Sequence, residues 1–177
     1  MRIEQIMRHD PTRVAPDTPV SRLIEWYANP GNRSRYTYVV GSRGELLGVV
    51  TMMELLGLFL PDALVAEHES GALPEAEVMR RVNAALTQAA NVPVSRIMRG
   101  DLPTIAPSAF FLDARVLLRE RGVTALPVVD GAGRLVGEVT RRVLVRLLDI
   151  MLNDPDMFLL KKDAKRLFDT ASEFFIG

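Results

Sequence analysis

Two short stretches bring together groups that can grip an anion or a sugar. Residues 48–51 read Gly-Val-Val-Thr and run into Met52-Met53-Glu54; residues 137–140 read Gly-Glu-Val-Thr and run into Arg141-Arg142-Val143. In both, a valine-containing run ends in threonine just before a helical pattern, which predicts Thr51 and Thr140 at strand-to-helix corners. A hydroxyl there sits beside free backbone N–H groups and the positive end of a helix, a setting that favours phosphate. A carboxylate one turn on can accept both hydroxyls of a ribose. Glu54 is that carboxylate in the first stretch, where Met52 and Met53 stand in place of basic residues. The second stretch has the converse: Arg141 and Arg142 lie where phosphates would, and Val143 accepts nothing. A ribose buried against Val143 would forfeit about 1–3 kcal/mol of hydrogen bonding. The two stretches thus hold most of one good site, divided. The plainer reading is also open: each threonine as a helix N-cap, Glu54 as a partner of the helix dipole, and the arginines as solvated surface.

The elements that must position these residues occur twice. Ile6-Met7-Arg8, Asp10 and Ala15-Pro16 return ninety-one residues later as Ile97-Met98-Arg99, Asp101 and Ala106-Pro107. Val39-Val40, Gly44, Gly48 and Val50-Thr51 return at an offset of eighty-nine as Val128-Val129, Gly133, Gly137 and Val139-Thr140. Such self-similarity marks one supersecondary unit used twice. Each copy predicts a short helix (3–7; 94–98), an extended Pro-containing entry (10–16; 101–107) and an amphipathic helix, its apolar face Val20, Leu23, Ile24 and Tyr27 in the first copy and Phe111, Ala114, Leu117 and Leu118 in the second. Asp17 or Thr18 is the expected cap of the first amphipathic helix and Ser108 of the second; Asn29 to Asn32 and Gly122 end them. Two β-runs split by a Gly-containing turn follow (36–40 and 46–50; 126–129 and 135–139), then a helix from the threonine (51–60; 140–152). The expected boundaries are repeat 1 over 1–60, a helical insertion over 61–93, repeat 2 over 94–152 and an amphipathic C-terminal helix over 153–177. In the insertion, Val78, Val82, Leu86 and Ala89 predict a helix from Pro74 to about Ala90.

Composition narrows the function. The chain has 177 residues, 22 basic and 22 acidic, so no net field draws it to nucleic acid or an anionic membrane. Arg80-Arg81 and Lys161-Lys162 with Lys165-Arg166 are the only support for nucleic-acid binding, and a solvated helix face explains them better. Without cysteine there is no disulfide and no thiolate metal cage; His9 and His68 are too few for a histidine site, and Glu67-His68-Glu69 points its side chains in different directions. No metal site and no catalytic residue is expected, because no nucleophile has an evident base and no phosphate-loop signature occurs. No apolar run approaches a membrane span, so a cytoplasmic protein is expected.

Ordered this way, the Met7 and Met98 positions, the Pro16 and Pro107 turns, 126-LPVVD-130 and the paired Gly-x-x-Thr corners resemble the CBS domain, the cystathionine β-synthase-type repeat that occurs in tandem as a Bateman module. The resemblance covers about 3–60 and 94–150. It implies an α+β fold of two repeats, each helix-strand-helix-strand-strand-helix, packed about a pseudo-two-fold axis. It also implies an adenosyl ligand (AMP, ADP, ATP or S-adenosylmethionine) in an inter-repeat cleft as a regulator, with no required cofactor. In this sequence the family's Gly-h-h-Thr/Ser-x-x-Asp motif falls on Thr51 and Thr140, with Glu54 and Val143 at the acidic position. By the same resemblance Thr12 and Thr104 would meet the purine, and apolar strand residues such as Val39 and Val128 would sandwich it. The expected role is a regulatory module that signals to an effector protein, the alternative a ligand-free structural or interaction module on the same scaffold. Arg33 and Arg35 are expected in an exposed loop, Trp26 and Tyr27 in helix core or a dimer contact. The Phe-rich tail and the pseudo-symmetric halves predict a homodimer.

Overall fold

The computed structural model describes residues 1–32 and 34–153; Arg33, the predicted C-terminal helix and the Lys161–Arg166 cluster lie outside the described residues. The chain is a mixed α+β protein of two compact units. One comprises Met1–Pro11, Arg43–Leu46 and the chain from Leu102, the other Thr12–Ser42 and Leu47–Asp101. Each unit therefore takes its leading segment from the opposite repeat: Met7 folds with the second copy and Met98 with the first.

In the unit that includes Thr12–Ser42, β1 (Arg13–Val14), β2 (Tyr36–Val40) and β3 (Leu46–Thr51) form a sheet in that order. β1 runs parallel to β2, with Arg13 opposite Tyr38 and Val14 opposite Val39. The core is Val20, Leu23, Val39, Val50, Leu55, Phe59, Ala89 and Val94. Helix α1 (Val20–Ala28) buries Val20 and Leu23, the positions its apolar spacing singled out. Neither Asp17 nor Thr18 caps it, because the N-cap is Pro19, whose side chain accepts nothing. Its first N–H groups are instead met by backbone: Val20 donates to Val92 C=O at 2.9 Å and Ser21 to Ala90 C=O at 3.0 Å. Helix α2 (Met52–Phe59) follows β3 directly, and the insertion supplies α3 (Asp62–Glu69) and α4 (Glu75–Ala89). α4 packs on α2, and its Ala89 joins the core with Ala85 against it. α3 was not expected from the sequence; it buries only Leu64, so its sequence has no apolar stripe to announce it.

In the other unit the short leading element is a 3-10 turn, Ile3–Gln5, and its counterpart Val94–Arg96 is the same; both are shorter than the helices expected over 3–7 and 94–98. Ile3, Ile6 and Met7 enter a core with Ile105, Ala114, Leu118, Leu126, Val128, Val139 and Leu147. Helix α5 (Phe111–Glu120) is not capped by Ser108. The Phe110 N–H donates to the Asp113 carboxylate at 2.9 Å, Phe111 N–H donates to Met1 C=O at 3.2 Å, and the Ser108 carbonyl accepts from the Arg2 guanidinium at 3.1 Å. Gly122, at φ +64°, supplies the left-handed residue that ends α5. β4 (Ala125–Val129) and β5 (Leu135–Thr140) form an antiparallel hairpin in which Ala125 faces Thr140 and Val128 faces Gly137. The extended entry is reduced to one parallel bridge, Ile105 with Val128. Helix α6 (Arg141–Asn153) buries Leu147 and continues the strand–corner–helix order.

Candidate functional site

Each Gly-x-x-Thr stretch is shaped by the segment it receives. A Cβ on Gly48 would lie 2.7 Å from the Arg99 carbonyl oxygen and 3.0 Å from Met98 Cγ and Sδ. On Gly137 it would lie 2.6 Å from Met7 Sδ and 2.9 Å from the Arg8 carbonyl oxygen. Glycine is required because a methionine and a backbone carbonyl occupy the side-chain space. Beside each glycine the incoming arginine pairs its backbone with the strand. Arg99 and Val49 exchange two N–H···O bonds of 2.9 Å, and so do Arg8 and Glu138. The repeat thus delivers one arginine to each corner.

At the first corner Thr51, the N-cap of α2, accepts from Met53 N–H at 3.1 Å through Oγ1. Glu54 reaches back: its Oε2 accepts from Thr51 N–H at 2.7 Å and from the Thr51 hydroxyl at 2.6 Å. This reciprocal arrangement is a capping box. Its other oxygen, Oε1, meets Arg99 Nε at 2.9 Å. The Glu54 side chain is only 14% exposed, the Arg99 side chain 50%. The corner accordingly holds a hydroxyl, an anchored carboxylate and an accessible cation, although its local sequence offers only Met52 and Met53, both exposed.

The second corner is built differently. Thr140 Oγ1 accepts from Val143 N–H at 3.2 Å, and Val143, partly buried against the core, cannot reciprocate. The acid has moved to the strand: Glu138, buried, stands at the position of Val49 and meets Arg8 Nη2 at 3.2 Å through Oε1. The first copy has Val49 in the strand and Glu54 in the helix, the second Glu138 in the strand and Val143 in the helix. Each corner so keeps an Arg–Glu pair, and the first places its carboxylate beside the threonine hydroxyl.

Thr51 and Glu54 are in contact, and Arg141 and Arg142 follow Thr140 with exposed side chains. Thr12 is half-buried and gives its carbonyl to Tyr38 N–H at 2.9 Å; Thr104 is exposed. Val39 and Val128 are fully buried in the two cores. Tyr27 is partly buried, its hydroxyl 2.8 Å from Thr37 Oγ1 and donating to Val50 C=O at 3.0 Å, whereas Trp26 and Arg35 are exposed. Arg8, Arg99 and Glu138 stand at the two corners although the sequence reading did not name them as candidates. The arginines had a signal in the repeat, since both recur in register after Ile-Met, whereas Glu138 replaces Val49 and had none.

The two arginines of the insertion are paired with its acidic residues. Arg80 and Arg81 both bond to Glu77, and Arg81 reaches Glu67 at 3.1 Å. These hydrogen bonds hold the Glu77 carboxyl at about 2, against an ordinary 4.5. Among the described residues no group of histidine, aspartate or glutamate side chains is arranged to hold a metal. No helix among them is long and apolar enough to cross a membrane.

The family model for the CBS domain matches residues 3–60 and 94–150. Among solved structures, MJ1004 from Methanocaldococcus jannaschii is similar at TM-score 0.64 and 18% identity, over 92% of this chain and 66% of that one. The chain thus spans just under two thirds of that protein's length. CBSX2, solved in complex with AMP, is similar at TM-score 0.63 and 23% identity, over 86% of this chain and 98% of that one. The CBS domain pair of MJ0100, solved with 5′-methylthioadenosine and S-adenosyl-L-methionine, gives TM-score 0.57 and 16% identity, over 84% and 96%. At these identities the likeness speaks for the fold. Comparison with curated proteins gives no match.

Proposed function

The chain belongs to the CBS domain family, and from that premise we propose that it is a regulatory module, not an enzyme, which binds an adenosyl ligand and passes its state to an effector protein. The observation that carries this reading is the contact of the Thr51 hydroxyl with the Glu54 carboxylate at the end of β3. A carboxylate anchored by its own helix cap is pre-positioned for a ribose diol, so little ordering is lost on binding. The solved relatives that hold AMP or S-adenosylmethionine lend support by analogy of fold. Val143 makes the second corner the weaker partner for a ribose, so the ligand is read at the first corner and not through Arg141 and Arg142. Binding would transmit a signal only to the extent that the ligand prefers one of two states of the module.

Titration calorimetry with AMP, ADP, ATP and S-adenosylmethionine tests the reading. We expect heat from at least one of them, abolished in Thr51→Ala. No heat from any up to millimolar concentration overturns it. A second reading, a scaffold that binds proteins and no ligand, is favoured by one observation: Glu54 already accepts from Thr51 and Arg99. It predicts that Thr51→Ala combined with Thr140→Ala alters partner binding and leaves any nucleotide response unchanged.

A further inference from the structure

We propose that Arg99 sets the ligand class of the first corner: it selects adenosine that carries phosphate over adenosine itself, by exchanging Glu54 for that phosphate. The inference rests on the adenosyl-ligand reading above and names the determinant that the local sequence lacks. The residues after Thr51 are Met52 and Met53, so no neighbour in sequence can meet a phosphate. The cation arrives from the other repeat. Its backbone is fixed by two hydrogen bonds to Val49, and Met98, the residue before it, fills the space over Gly48. The guanidinium is therefore tethered at the corner, yet its side chain is half exposed.

The two oxygens of Glu54 are not equivalent. Oε2 is held by two donors from Thr51, whereas Oε1 is engaged by Arg99 Nε at 2.9 Å. A diol that approaches the carboxylate therefore competes for Oε1, against Arg99. A displaced guanidinium needs another anion, and phosphate suits its planar fork of donors. A phosphorylated nucleoside brings that anion with it. An unphosphorylated one takes the carboxylate and leaves Arg99 without a charged partner. The second unit has no such exchange, because Arg8 is paired with Glu138, buried in β5 and away from the helix position.

The test is calorimetry on the full chain with adenosine, AMP, ADP and S-adenosylmethionine, for the wild type, Arg99→Gln, Arg99→Lys, and Arg141→Ala combined with Arg142→Ala. We expect the wild type to bind AMP about tenfold more tightly than adenosine, the equivalent of one charge-assisted hydrogen bond. That ratio should collapse in Arg99→Gln through weaker AMP binding, recover in part in Arg99→Lys, and persist in the Arg141/Arg142 variant. Should Arg99→Gln not fold, the wild type decides: the Arg99 Nε resonance, followed by nitrogen-15 NMR, should move on titration with AMP and return toward its free-arginine position with adenosine. An AMP-to-adenosine ratio unchanged by Arg99→Gln, one lost in the Arg141/Arg142 variant instead, or tighter binding of S-adenosylmethionine than of AMP overturns the role of Arg99 and leaves the adenosyl site standing. No heat from any ligand overturns both.

Discussion

At Gly48 and Gly137 a methionine and a carbonyl from the opposite repeat occupy the space of the absent side chain, and an arginine follows each methionine. The two arginines should differ in what they contribute. Arg99 pairs with a carboxylate that keeps two other donors, and its side chain is half exposed, so Arg99→Ala should cost about 1 kcal/mol or less. The Arg8 side chain is itself 44% exposed but meets a carboxylate buried in β5, so Arg8→Ala should cost more, about 1–2 kcal/mol, because a buried carboxylate loses a charged donor. Urea unfolding of the two variants measures the difference, and equal costs would contradict it. Single residues were the least legible scale of the sequence. Thr51 and Glu54 stood out because helix spacing places them one turn apart. The Arg99–Glu54 pair could not, since the chain must fold before the two meet. The exchange of acid positions, Glu54 and Val49 against Val143 and Glu138, can be read in the aligned repeats only once the arginines are known to arrive there.

Strands and helices were legible wherever local pattern and tertiary role agree. The valine-rich runs became β2 to β5, and the apolar spacing of Val20 and Leu23 marked the face α1 buries. Helix starts were not legible where backbone from elsewhere does the capping, as Ala90 and Val92 do for α1 and Met1 for α5. Helix α3 escaped because it buries a single leucine. In α4 the pattern gave the helix, and its surface charge has a consequence for acid stability. The Glu77 carboxyl, held at about 2 by Arg80 and Arg81, is depressed from 4.5, so its contribution is complete above the ordinary value and fades as pH falls from there through about 2. Carbon-detected NMR titration should find Glu77 still ionised at pH 3, and Glu77→Gln should flatten the loss of stability between those two values. A Glu77 carboxyl that titrates near 4.5 would contradict this.

For the molecule as a whole, the two corners and the doubled order of elements were visible because duplication repeats weak signals in register. The assignment of leading segments to opposite units was not, since both copies carry the same Ile-Met-Arg and nothing local says which copy each will join. Among the described residues, both units carry exposed apolar side chains on a helix. On α2, Met52, Met53 and Leu56 are exposed, and on α6, Val145, Leu148, Met151 and Leu152 are. Faces of this kind at matching places in two copies favour closed pairing of identical chains. We expect a homodimer in sedimentation at tens of micromolar, shifted toward monomer by Leu56→Glu or Leu148→Glu. A monomer throughout that range would rule it out.

The crossed leading segments also impose an order on synthesis. Once Asp101 has left the ribosome, every residue of the unit built on Thr12–Ser42 and Leu47–Asp101 is present and can fold. Met1–Pro11, translated ahead of all of it, has nowhere to dock until β4, β5 and α6 follow. Ile3, Ile6 and Met7 therefore stay unburied until the second repeat has been made, an apolar segment open to a nascent-chain chaperone in the meantime.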